Sequence, residues 1–237
     1  MATDPNTVSL LHFDGADEST TFTDESGKTW TPAGGANIET DDPKFGVSSA
    51  QFVGDGGIYC DTHDDFVFGS GNFTIDFWVK ISTSTGNMSL CFKGLSGYNY
   101  APFSVKRPTG GFILAFYASS NGIGWDLCNG VAIGTLTSGT WAHVAICRSG
   151  TSIYCFLNGV LGSMTTVGTA VLLANSEQVK IGSDGTRWPS TSSIDEVRFS
   201  KGIARWTAQF TPPSSPYVWD DSVGSTEITL PLFQLAI

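Results

Sequence analysis

Gly71-Asn72-Phe73-Thr74-Ile75-Asp76-Phe77-Trp78-Val79-Lys80-Ile81 is the stretch on which the fold turns. Large apolar residues stand at 73, 75, 77, 79 and 81, with Thr74, Asp76, Trp78 and Lys80 between them. That period of two is the mark of a strand with one face in a core. The same signal recurs outward from it. Ser89-Leu90-Cys91-Phe92-Lys93 follows a Gly86-Asn87 break, and apolar runs cover 111–117 and 141–148. Arg148-Ser149-Gly150-Thr151 reads as a turn, and 153–157 as its returning strand. Asn158-Gly159 is a strong hairpin signal, because both turn positions want positive φ. Val179-Lys180-Ile181-Gly182 and Ile194-Asp195-Glu196-Val197-Arg198-Phe199 close the series.

No ten-residue stretch carries a helical period; single helical turns are expected near 64–68 and 203–206. Many strands and almost no helix predict an all-β, two-sheet antiparallel jelly-roll sandwich. At 237 residues the chain suits one such domain. Thr211-Pro212-Pro213-Ser214-Ser215-Pro216 predicts a stiff exit from it, since proline cannot donate to a ladder. The expected division is a jelly-roll domain over 1–217 and a C-terminal docking tail over 218–237.

Composition narrows the function. The net charge is −10 and the sequence pI is near 4.5, which disfavours binding to nucleic-acid phosphates. No run approaches the roughly 20 apolar residues of a membrane-spanning helix. Met1-Ala2-Thr3-Asp4-Pro5 is neither basic nor apolar, so no signal peptide is expected. The five cysteines, Cys60, Cys91, Cys128, Cys147 and Cys155, are an odd number without a CxxC pair, a poor framework for disulfides or zinc.

Leu10-Leu11-His12-Phe13-Asp14-Gly15, Phe45-Gly46, the strand at 73–80, Trp141-Ala142-His143-Val144-Ala145, the Phe156-Leu157-Asn158-Gly159 hairpin and Ile194-Asp195-Glu196-Val197-Arg198-Phe199 occur in a telling order. Together they resemble the laminin-G-like jelly rolls of the concanavalin A-like lectin/glucanase superfamily over about residues 8–217. Ala204-Arg205-Trp206-Thr207 with Phe210-Thr211-Pro212-Pro213 resembles the versions found in tailed-bacteriophage virion proteins. The resemblance implies a non-enzymatic virion component, such as a fibre, decoration or receptor-binding part, made in the host cytoplasm. A free carbohydrate-binding or adhesion module is the alternative, and a glycoside hydrolase a third.

Catalysis has little to stand on. Glycoside hydrolysis needs two carboxylates flanking one bond, and the strand comparable to the glucanases' catalytic strand offers Asp76 alone. Asp195 and Glu196 are adjacent, which in a regular strand points them to opposite faces. His12 and His143 read as packed or half-buried histidines, and His63 as a loop residue. Gly54-Asp55-Gly56-Gly57 reads as a turn with no helix after it to hold phosphate.

Related jelly rolls carry a structural calcium between the opening and closing strands; by position the resemblance implies Asp14, Gly15 and Asp195 as its ligands here. Glycan contacts are expected from aromatics in Gly-, Ser- and Asn-rich loops, namely Tyr98, Tyr100, Trp125 and Trp188, since rings stack on the apolar faces of sugars. Trp30, Trp78, Trp141 and Trp206 are expected to pack. The tail's Ile228, Leu230, Leu232, Phe233 and Leu235 are too apolar to lie free in water. They predict docking on identical subunits or other virion proteins.

Overall fold

The computed structural model describes residues 4–81, 87–94, 100–108, 111–184 and 192–219. Phe73–Ile81 is a strand end to end, with its odd-numbered residues in the core. It is β4 of thirteen strands among the described residues. Before it come β1 (Thr7–Leu11), β2 (Trp30–Glu39) and β3 (Ser49–Cys60). After it come β5 (Met88–Lys93), β6 (Phe103–Arg107), β7 (Ile113–Ala118) and β8 (Cys128–Thr135). The series ends with β9 (Ala142–Ser149), β10 (Ser152–Leu157), β11 (Val160–Thr166), β12 (Val179–Ile181) and β13 (Ser192–Lys201). All pairings are antiparallel, and one 3-10 turn, Asp64–Phe66, falls inside the segment where a helical turn is expected.

The ladder runs β11-β10-β9-β4-β13-β3-β12-β5-β6-β7-β8, with β1 on β13 and β2 on β3. Two long strands let this ribbon fold over on itself. The first part of β3 pairs β13, and its last three residues pair β12. The far end returns, so that β8 packs on β10 and β11. Gly162 in β11 marks this closure, for a Cβ there would sit on the Ile133 carbonyl oxygen. The sandwich interior holds Phe52, Phe66, Phe73, Phe77, Phe103, Phe116 and Phe199, all buried. Each such ring is worth about 1.5–3 kcal/mol over exposure. At Asn158-Gly159 both φ angles are positive, 51° and 75°, as the turn chemistry requires.

Two expectations fail locally. Residues 203–206 form no helical turn. Nor does the proline segment leave the sandwich. After β13 the chain folds back as a strap over the outer surface of β4, β9 and β10. Ala204, Trp206 and Phe210 cover Ala145, Cys147 and Phe156 there, and Tyr217 is again buried. The strap covers Thr74 and Asp76, and the 44–45 segment covers Trp78, so these even-numbered residues are buried along with the odd ones.

Candidate ligand-binding face and the buried polar network

The connection between β7 and β8 is polar yet ordered by its own side chains. Asp126 accepts from the Ser119 hydroxyl (3.1 Å), the Ser120 amide (2.9 Å) and the Ser120 hydroxyl. Asn121 Oδ1 accepts from the amides of Ile123 and Gly124 at 2.7 and 3.1 Å. These short side-chain-to-backbone bonds replace a ladder where the chain turns, and they fix Trp125 over the sheet. Its ring lies 5.3 Å from that of Tyr117 and 5.4 Å from that of Tyr100. Lys106, from β6, places Nζ 4.2 Å from the Tyr117 ring centre and 4.7 Å from that of Trp125. Burial pulls the Lys106 pKa down to about 8, against the upward effect of Asp184.

The structure thus brings together Tyr100 and Trp125. Tyr98 and Trp188 lie outside the described residues. Tyr117 and Lys106 complete the cluster and were not anticipated, because both belong to strands. Register is what aligns them: Ser104, two residues before Lys106, is directly opposite Tyr117. Tyr59, Lys180, Phe92, Ser104 and Tyr117 are paired in turn across five strands and so share one sheet face. At the Tyr59 end lies a cavity of about 230 Å³, lined by Asp55, Tyr59, Gln178, Lys180 and Ser183 among others.

A second cluster lies under the strap. Arg198 donates to Asp76 through Nε (3.1 Å) and Nη2 (2.9 Å), and stacks its guanidinium 3.8 Å from the Tyr217 ring centre. The Tyr217 hydroxyl and His143 Nε2 are 3.0 Å apart, and the Tyr217 amide donates to Glu196 (2.7 Å). His12 Nδ1 meets the other Glu196 oxygen at 2.8 Å. Burial raises the Asp76 pKa, but the Arg198 and His143 interactions outweigh it and hold the carboxyl well below the usual range. Asp76 is wholly buried beneath the strap, so it has no access to a polysaccharide.

Asp195 and Glu196 depart from the regular alternation. A bulge between Asp195 and Arg198 places Glu196 at φ 52°, a left-handed conformation. Both carboxyls therefore lie on the outer surface of the layer, Asp195 beside the 44–45 segment and Glu196 beside His12 and Tyr217. The expectation of opposite faces assumed a strand without the bulge.

Asp14 and Asp195, the candidate calcium ligands, grip the same loop. Asp195 accepts from the amides of Lys44 (2.9 Å), Phe45 (3.1 Å) and Glu196 (2.8 Å), and Asp14 from that of Val47 (2.7 Å). Gly15 turns its amide to Ser48 and its carbonyl to the same hydroxyl. Burial, with the Glu196 charge beside it, pushes the Asp195 pKa up to about 8, against the amide bonds. Two carboxyl groups hold this loop, as a cation site would need, but N–H groups occupy the lone pairs a cation would use. Among the described residues no group of three or more His, Cys, Asp or Glu converges. His63 is an exposed cap on the 3-10 turn, accepting from the Asp65 amide. Trp30 and Trp78 are buried, and Trp206, though half-buried, packs in the strap against Phe210 and His143 as expected, while Trp141 is half-buried beside Lys80. Ile228, Leu230, Leu232, Phe233 and Leu235 lie outside the described residues.

A family model described as the concanavalin A-like lectin/glucanases superfamily matches residues 54–205. No curated protein matches the sequence. Among solved structures, domain 4 of AbnA, an extracellular GH43 arabinanase from Geobacillus stearothermophilus in complex with arabinotriose, is similar at TM-score 0.63 and 17% identity. The similarity covers 84% of this chain and 94% of that one. The binding domain of Paraclostridial Mosquitocidal Protein 1 gives TM-score 0.61 at 12% identity, covering 84% and 49%. The binding domain of botulinum neurotoxin DC in complex with SialylT gives 0.59 at 13%, also 84% and 49%. The chain spans about half the length of the two toxin domains.

Proposed function

Because the chain belongs to the concanavalin A-like lectin/glucanases superfamily, we propose that it is a non-enzymatic binding module whose face around Trp125 takes a carbohydrate. The observation that carries this reading is the cluster of Trp125 on its braced loop with Tyr117 from β7, Tyr100 from the segment before β6 and a cation over the rings. Half-exposed rings held rigid lose little entropy on stacking against a sugar. Two of the similar structures are complexes with arabinotriose and SialylT, which speaks for a carbohydrate ligand by analogy. Catalysis by a carboxylate pair is disfavoured, since Asp76 is enclosed and paired and Asp195 is held by loop amides.

The wider setting in this proposal is a bacteriophage virion, with the domain as part of a fibre, a capsid decoration or a receptor-binding component. It rests on the sequence resemblance around Trp206 and Pro212-Pro213. The tail would join the domain to identical subunits or other virion proteins. A free adhesion module would keep the same face and lack that assembly role. Calcium at Asp14, Gly15 and Asp195 is a separate proposal, which requires amide bonds to be exchanged for ion contacts.

The test is a glycan array probed with the full chain and with Trp125→Ala. Binding to defined glycans that is lost in the variant is the expected result. An array without a signal above background, or signals that ignore the substitution, refutes the reading.

A further inference from the structure

Resting on the docking-tail part of that proposal, we infer that the outer face of β10 and β11 receives the tail of a second copy of this chain, whose apolar stretch 228–235 covers Leu161 and Met164. Three residues separate Leu161 from Met164, a spacing that in a regular strand sends side chains to opposite faces. A bulge corrects the count. Leu161 stands opposite Phe156 and Met164 opposite Tyr154, with Gly162 taking up the extra place. Both side chains therefore join the outer surface on which Phe156 and Tyr154 lie.

Two rows of paired residues cross that surface. One runs Asp76, Ala145, Phe156, Leu161, and the other Thr74, Cys147, Tyr154, Met164. The strap closes over the first part of each. Phe210 sits 5.3 Å from Phe156, ring centre to ring centre, Cys147 lies in the same cluster, and the Thr74 hydroxyl donates to the Ile203 carbonyl. On β11 the cover ends. Leu161 and Met164 are 41% and 51% exposed, with Tyr154 half-buried beside them. Scattered surface hydrophobics need no explanation, but these two continue a buried apolar cluster past its lid.

The tail has the chemistry to extend that lid. Ile228, Leu230 and Leu232 alternate with Thr229 and Pro231, which gives an extended segment one apolar face. Pro231 suits it to lying across side chains, as the strap with Pro212 and Pro213 does, rather than to joining a ladder. No side chain from Ile228 to Ile237, and none from Ser152 to Thr166, is charged. Two copies at −10 each repel, and a contact between these neutral stretches brings no like charges together. The path of the chain says whose tail it is. The Phe210 amide donates to the Gly159 carbonyl at the β10–β11 turn, and the strap then runs back to set Tyr217 on His143 and Glu196, over β9 and β13. The chain thus leaves heading away from β11. Its own tail would have to recross the strap to reach the patch, and a neighbour's tail would not.

The experiment follows the full chain by sedimentation velocity over a range of concentrations at physiological salt. Wild type should form complexes of two or more copies. Met164→Glu and Met164→Lys move the net charge in opposite directions, yet each should weaken association by at least about tenfold, since either leaves a charge in an apolar contact. Leu232→Lys should do the same from the tail side. Met164 is exposed, so its variants should keep the wild-type melting curve, which is checked for each protein. Mixing Met164→Lys with Leu232→Lys should bring a complex back, because the first supplies an intact tail and the second an intact patch. Association that falls with Leu232→Lys but survives both Met164 substitutions, or a mixture that stays monomeric, overturns the inference and leaves the docking tail standing. A monomeric wild type also overturns it, whether the tail lies on its own domain or on another protein. Association indifferent to Leu232→Lys removes the docking-tail reading and the inference with it.

Discussion

Arg198→Gln isolates the pair that anchors the strap. Asp76 is wholly buried, and Arg198 gives it two hydrogen bonds. Removing one member of such a pair leaves an uncompensated charge and costs about 3–5 kcal/mol. The stacking of Arg198 on Tyr217 disappears as well. His143 Nε2 stays 3.6 Å from Asp76, too far to replace the lost bonds. For a chain of this length each kcal/mol shifts Tm by about 2–4 °C, so the fall should be on the order of 10 °C. The pH dependence has a definite sign. In wild type the folded pKa of Asp76 is depressed. Its contribution is thus present above the unfolded carboxylate value of about 3.9 and is lost as pH falls through the folded value. In the variant burial dominates and raises that pKa, so the penalty fades as acid neutralises the carboxyl. The gap between the two proteins, measured by urea denaturation, should be widest near neutral pH and narrow on acidification. A gap below about 1 kcal/mol at neutral pH, or one that keeps its size down to pH of about 4.5, refutes the reasoning.

Four further outcomes are expected. Removing residues 218–237 should leave a folded domain with weakened assembly by light scattering, and unchanged assembly would dismiss the docking tail. Alkylation without reductant should find five free thiols. Cys147 lies outward under the strap and Cys155 inward, and burial raises all five thiol pKa values; a two-dalton deficit in any pair would contradict this. If calcium binds at Asp14, Gly15 and Asp195, it should raise Tm over chelator and Asp195→Ala should abolish the rise; superimposable curves retire the site. Purified protein should release no reducing ends from β-glucans, and a release that Asp76→Asn eliminates would restore the hydrolase.

The parts legible in the sequence are those governed by neighbours in the chain. The alternation of 73–81 and the turn at Asn158-Gly159 depend on local sterics and appear as read. The orientation of Glu196 was not legible. A left-handed residue in a strand is commonly flagged by Gly or Asn, and here a glutamate takes that conformation, compensated by bonds to His12 and Tyr217. The burial of Asp76 was equally hidden, because it depends on a strap more than 120 residues away, as the bond from the neighbouring Thr74 to Ile203 indicates. Trp125 and Tyr100 stood out by type and by their loop setting. Lys106 did not, since a lysine beside Arg107 in a short mixed strand gains meaning only once β6 and β7 are in register.

The strap also decides how the domain would respond to force. Among the described residues, a pull arriving through residue 219 would meet Tyr217 before Phe210 against Phe156 and Trp206 against Phe210, and only afterwards β13. These contacts are met one after another, as in peeling tape, whereas the ladder of β13 with β4 offers many hydrogen bonds to share the load. Modest tension would be spent lifting the strap and lengthening the tether while the sandwich stays closed. Its release would uncover Asp76, Arg198 and His143 to water, so the domain would register tension at its tail as solvent exposure on its outer face.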